Sequence, residues 1–139
     1  MAQLAATLAA ASIGAMIFFS GVIAPTAFRA LPAESAGAFV RALFPNYFLV
    51  NGFAGVVASL LALPSFASAL LLVGGAALVA LRILVMPAVN NARDAMTAGN
   101  ALAKATFARW HRLSVVVNIA AIALYALAVW LLLARAGVS

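Results

Sequence analysis

From Leu4 to Phe28 the sequence contains no charged side chain. A helix needs about 20 mostly apolar residues to cross the hydrocarbon core of a bilayer, and this run supplies them. Three more runs follow: Tyr47–Leu63, which ends at Pro64; Ala67–Met86, interrupted only by Arg82; and Leu113–Ala134. Of the 139 residues 68% are hydrophobic and 7% charged, with a mean hydropathy of +1.22, whereas an ordinary soluble domain is about a quarter charged. So few charges cannot solvate a globule of this size. The chain is expected to be all-α and membrane-embedded, one domain over residues 1–139, a bundle of four transmembrane helices. The amino terminus lacks the basic segment of a cleaved signal peptide, and its apolar run is too long for one, so it is expected to stay as the first span.

The connections differ in kind. "PSFAS" joins the second and third runs so tightly that they must lie antiparallel. In "LPAESAGAFVRALFP", Pro32 suits a first helical turn and Glu34 the positive end of a helix dipole. Phe39, Val40, Leu43 and Phe44 share one face with Arg41 to the side, which predicts a short interfacial helix bending at Pro45 into the second span. "PAVNNARDAMTAGNALAKATFARWH" is too polar to span and is expected to form a helical connection outside the membrane.

Eight Lys and Arg against two acids give a formal net charge of +6. The basic residues are single and scattered, not the patch that nucleic acid requires. They follow topology instead: Arg29 and Arg41 fall in the first connection, Arg93, Lys104, Arg109 and Arg112 in the third, none in the second, and Arg135 after the fourth span. The positive-inside rule therefore predicts connections one and three in the cytoplasm and both termini on the outer side of a bacterial inner membrane. Small residues at Gly52, Gly55 and Ser59, at Gly74–Ala77, and at Ala10, Gly14 and Gly21 predict close helix contacts, with some faces left for a homo-oligomer.

Polar groups inside a membrane are costly and carry a functional expectation. Given that orientation, Asn51, Arg82 and Asn118 are expected at one depth, with Arg29 just below. His111, Ser114, Asn118 and Tyr125 recur at helical spacing and share about a third of the helix circumference. Two readings stand side by side. The polar groups are interhelical hydrogen bonds worth about 0.6 kcal/mol each, with Arg82 snorkelling to lipid phosphates. Alternatively Arg29, Asn51, Arg82, His111, Ser114 and Asn118 line a cytoplasm-facing pocket, positive on balance because Glu34 and Asp94 lie in connections.

Enzymatic constellations are missing from the sequence. There is no carboxylate pair, no cysteine and no phosphate loop, and no acid stands near His111 and Ser114 to orient the ring, so an enzyme is not expected. Met16, Met86 and Met96 lack the spacing of a copper path, so no metal site is expected. Haem b is the one cofactor alternative, with His111 as an axial ligand and Met86, or a second copy's His111, opposite.

Two stretches together resemble a known family. "PTAFRALPAESAGAFVRALFPNYF" and "FARWHRLSVVVN" are similar to the two signatures of the transmembrane protein 205 family, a four-span membrane domain of unassigned function. The first signature is a PxxFRxL, a central Gly and an LFPxYF; the second is an aromatic and basic run, then HxLS with Asn seven residues after the His. Pro87 and Arg93 after the third span also fit. The matching positions are Pro25, Phe28, Arg29, Leu31, Gly37, Phe44, Pro45, Tyr47, Phe48, His111, Ser114 and Asn118. The resemblance implies no enzymatic activity. For the animal members it implies handling of platinum complexes through sulfur side chains, which a chain without cysteine and with few methionines fits poorly. The expected function is a carrier or binding protein for a polar or anionic small molecule or metal complex. The alternatives are a haem-binding or redox-linked protein and a non-catalytic scaffold or assembly partner.

Overall fold

The computed structural model describes residues 1–136. Its regular structure is helical, with no strand among the described residues, and forms four long helices. These are α1 (Ala2–Ala30), α2 (Ala33–Leu61), α3 (Phe66–Thr97) and α4 (Ala103–Ala136), each long and apolar enough to cross a membrane. The chain is a multi-pass membrane protein. Large apolar side chains such as Phe53, Leu60, Ile83, Leu84, Ile119 and Trp130 stand exposed on its outer surface, where lipid would meet them.

α1 and α3 each contain one widened turn, a π segment at Phe19–Ile23 and another at Leu81–Val85. Each ends two residues before a proline, Pro25 or Pro87. Proline has no N–H to donate and its ring crowds the carbonyl four residues earlier. An i→i+5 turn makes room for the ring without ending the helix.

The helices outrun the bilayer. At 1.5 Å per residue, the 32 residues of α3 extend about 48 Å, against a hydrocarbon core of about 30 Å. The surplus accounts for both polar connections. Residues 33–44 are not a separate interfacial helix but the first turns of α2, which continues through Pro45 to Leu61. They stay in line because they are tied to α3 by the arginine contacts described below. The third connection is divided in the same way: its first part completes α3 and its last part begins α4. Between them Gly99 takes φ +90°, and the Asn100 N–H donates back to the Ala95 carbonyl at 3.0 Å, which closes α3 with a left-handed residue that glycine adopts without strain. The Asn100 side chain then accepts from the Leu102 N–H at 3.0 Å and starts α4.

At the opposite end Ser65 caps α3 through the Ser68 N–H at 3.1 Å, and the Ser68 hydroxyl donates to the Ser59 carbonyl at 2.8 Å. From this hairpin α2 and α3 run in close contact. A Cβ at Gly75 would lie 2.7 Å from the Gly52 carbonyl oxygen and 2.9 Å from the Val56 nitrogen. Small residues allow this approach, and in a bilayer such packing is what holds helices together. Tyr125 of α4 is fully buried, with its ring over Gly55 and Gly74 and its hydroxyl donating to the Asn51 carbonyl at 2.9 Å. On α1 the contact face is Ala5, Ala6, Ala9, Ser12 and Met16. Ala10, Gly14 and Gly21, expected at a contact, lie on exposed faces, and a Cβ at either glycine would meet nothing within 4 Å.

Candidate functional site

The most charged contacts of the bundle lie where the projecting ends of α2 and α3 meet. The Arg93 Nη1 donates to the Gly37 carbonyl at 2.9 Å, and the rest of the guanidinium lies where a side chain at position 37 would begin. One turn on, Arg41 forms a two-pronged pair with Asp94, Nη2 donating to Oδ2 at 2.9 Å and Nη1 to Oδ1. The hydrogen bond from Arg41 draws the Asp94 carboxyl below its ordinary value. Of the charges gathered here, two are positive and one negative.

Beside this cluster all four helices bound a cavity of about 630 Å³. α1 contributes Ser20, Pro25 and Phe28, and α2 contributes Val40, Arg41 and Phe44. α3 supplies Met86, Asn90, Arg93 and Met96, and α4 supplies Phe107, His111 and Ser114. A second cavity, of about 480 Å³, continues between α1 and α4 along Ile17, Gly21, Val115, Asn118, Ile119 and Ile122. The two share Ser20, Ala24, Phe44, His111 and Ser114. A third lies on the outer side of α4, and His111 lines all three.

The lining is rich in donors and poor in acids. Arg41, Arg93, Asn90, His111, Ser114 and Ser20 face one cavity, while neither Glu34 nor Asp94 lines any of the three. The His111 ring is exposed and stacks on Phe107 one turn earlier, with centroids 5.6 Å apart and planes 3° apart. Ser114 is buried and donates to the His111 carbonyl at 2.7 Å. Asn118 accepts from the Tyr47 hydroxyl at 2.9 Å, which leaves its amide N–H groups to the groove. An aromatic group of Phe19, Phe44, Tyr47 and Phe48, with centroids 4.7 to 5.8 Å apart, backs the site.

The six expected pocket residues therefore separate. His111, Ser114 and Asn118 come together on the cavities. Asn51 does not: it is buried, its Oδ1 accepts from Ser12 Oγ at 2.7 Å, and its Nδ2 donates to the Tyr47 carbonyl at 2.8 Å. With Tyr125 bound to its carbonyl, Asn51 joins α1, α2 and α4. That is interhelical bonding, as one of the two readings expected. Arg82 sits in the π segment of α3, partly buried, with its Nε enclosed and without a hydrogen-bond partner, and it lines none of the cavities. Arg29 is exposed at the end of α1 and lines none either.

Arg41, Arg93, Asn90 and Ser20 were not anticipated at the site. The missed signal was a pairing: Asp94 is one of only two acids in a chain with eight Lys and Arg, and Arg41 is its partner. Several positions of the two sequence signatures converge here. Pro25, Phe28, Phe44, His111 and Ser114 line the larger cavity, Gly37 seats Arg93, and Tyr47 bonds Asn118.

Comparison with known proteins gives one match. A family model described as Domain of unknown function (DUF4149) matches residues 7–98, which run from α1 into the turn after α3. No curated protein and no solved structure matches the chain.

Proposed function

We propose a function on one premise: the chain belongs to the family described as Domain of unknown function (DUF4149), a description that assigns no activity. It is a membrane-embedded binding or carrier protein for a polar or anionic small molecule, taken up in the cavity below His111. The observation that carries this is the lining, which presents the Arg93 guanidinium, the Asn90 amide, the His111 imidazole and the Ser20 hydroxyl to a space of about 630 Å³ that no acid side chain lines, with Arg41 held beside it by Asp94. Guanidinium groups favour phosphate and carboxylate because they present parallel N–H donors. The positive-inside rule, applied to the basic ends of the helices, turns the mouth toward the cytoplasm. The similarity to the transmembrane protein 205 family supports a small-molecule role. With no cysteine in the chain, a soft-metal complex is the less suitable ligand.

The test is binding of inorganic phosphate to the purified protein by calorimetry. Arg93→Gln and His111→Ala are expected to weaken it at least fivefold, while Arg135→Gln, a change at the far end of α4, leaves it unaltered. No heat with phosphate or with a carboxylate such as citrate would remove the reading. One observation favours a second: Met86 and His111 line the same cavity, so these two side chains would hold a haem b, which is the alternative. Protein supplied with haem would then show a Soret band that either Met86→Leu or His111→Ala alters. A colourless preparation rejects it.

A further inference from the structure

We propose that the ligand is an anionic amphiphile, with a phosphate head at Arg93 and His111 and one alkyl chain in the groove between α1 and α4. This rests on the anion-binding reading above and adds the chain to it.

The two cavities are continuous, because the five residues they share form the neck between them. Their chemistry changes along the length. The larger carries Arg41, Asn90 and Arg93; the smaller is walled by Ile17, Val115, Ile119 and Ile122, with Asn118 the one amide among them. A soluble anion needs only the first part. An apolar passage leading out of a cationic site matches a molecule that is itself charged at one end and aliphatic at the other.

The groove also opens in the direction from which such a molecule comes. Ile17 and Ile119 on its walls are 55% and 60% exposed, on the apolar outer surface that a bilayer would cover. A lipid can therefore slide its chain in sideways while its phosphate stays at the level of the arginines. Basic pockets between membrane helices recognise anionic head groups in this way. Gly21 keeps the passage clear: it lines the groove, and a Cβ there would meet nothing within 4 Å. No neighbouring helix requires glycine at that position, although glycine is unfavourable in a helix.

The openness of Gly21 makes the test direct, since a Cβ there meets no neighbour and a side chain can be built from it at the groove wall. The full-length protein in detergent is titrated by native mass spectrometry with 1-oleoyl lysophosphatidic acid, which has head and chain, and with mono-oleoylglycerol, which has the chain alone. Inorganic phosphate, the head alone, is followed by its effect on thermal unfolding. The expected result is one bound lysophosphatidic acid, with mono-oleoylglycerol at least tenfold weaker. Gly21→Leu should weaken lysophosphatidic acid at least tenfold and keep the phosphate effect. Gly14→Leu, equally open but away from the groove, should bind as the parent does. Ile119→Trp, at an exposed wall position, should reproduce Gly21→Leu and serves if that variant does not fold.

If the groove-filling variants bind lysophosphatidic acid unchanged while phosphate still stabilises the protein, the chain is overturned and the anion site survives. If neither phosphate nor lysophosphatidic acid binds, both readings fall. Equal binding of mono-oleoylglycerol overturns the role of the head. A dimer that binds no lipid and dissociates on Gly21→Leu assigns the groove to a second copy of the chain and overturns the proposal.

Discussion

A methyl group added at Gly75 would fall on the backbone of α2, 2.7 Å from the Gly52 carbonyl oxygen, and backbone cannot move aside as a flexible side chain can. Gly75→Ala is therefore expected to lower stability by about 1–3 kcal/mol, the usual cost of overpacking, measured by unfolding in detergent. Tyr125→Phe keeps the ring over Gly55 and Gly74 and removes only the bond to Asn51. Its cost should be smaller, about 0.6 kcal/mol. The reverse order would mean that the polar joint at Tyr125 contributes more than the close packing of α2 on α3. A pH effect belongs to this scale as well. Asp94 has its carboxyl depressed in the folded protein by the hydrogen bond from Arg41. The stabilising contribution is therefore complete above the ordinary carboxylate value of about 3.9 and is lost as the pH falls through the depressed value. Melting temperatures taken from pH 7 down to pH 2 should show an acid-limb loss in the parent that Asp94→Asn lacks. Identical curves would show that the pair contributes nothing to folding.

Among the elements, α2 gives the clearest departure from expectation. Pro45 was expected to bend the chain between two helices, and the helix instead runs through it. The Arg41 carbonyl still lacks its ordinary donor, because proline has no N–H. Pro45→Ala restores that bond and is expected to raise thermal stability, by up to about 3 kcal/mol; a fall in melting temperature would mean that the ring's own packing outweighs the missing bond. The four spans were legible because lipid tolerates so few charges. Their ends were not, because hydropathy records where lipid stops and says nothing about where the helix stops, so residues 33–44 and 87–97 looked like connections. The face of α1 was misjudged for a related reason. A helix apolar on every side carries no amphipathic signal, and Gly14 and Gly21 could not be told from Ala5 and Ala9 as contact positions. At the site His111, Ser114 and Asn118 were legible from their spacing. Arg41, Arg93 and Asn90 were not, since no local pattern shows which turn of α2 meets which turn of α3.

For the molecule as a whole, the bundle is tight toward the hairpin end, where Gly52 and Gly75 bring α2 and α3 together and Gly55 and Gly74 seat Tyr125, and open toward the basic end, where arginines and aromatic rings hold the helices around a cavity. Binding at the open end needs no change at the tight one. The absence of cysteine from the whole chain gives a clean background for testing this. Met96 is exposed at the basic end of α3 and lines two of the cavities without supplying a polar group to the anion. The most direct test is modification of the Met96→Cys variant, in oriented membranes, by a maleimide that cannot cross the bilayer. Labelling is expected from the side of the basic helix ends, and phosphate or lysophosphatidic acid should slow it. A thiol that stays unlabelled from both sides, or that labels at a rate no anion alters, would contradict binding there.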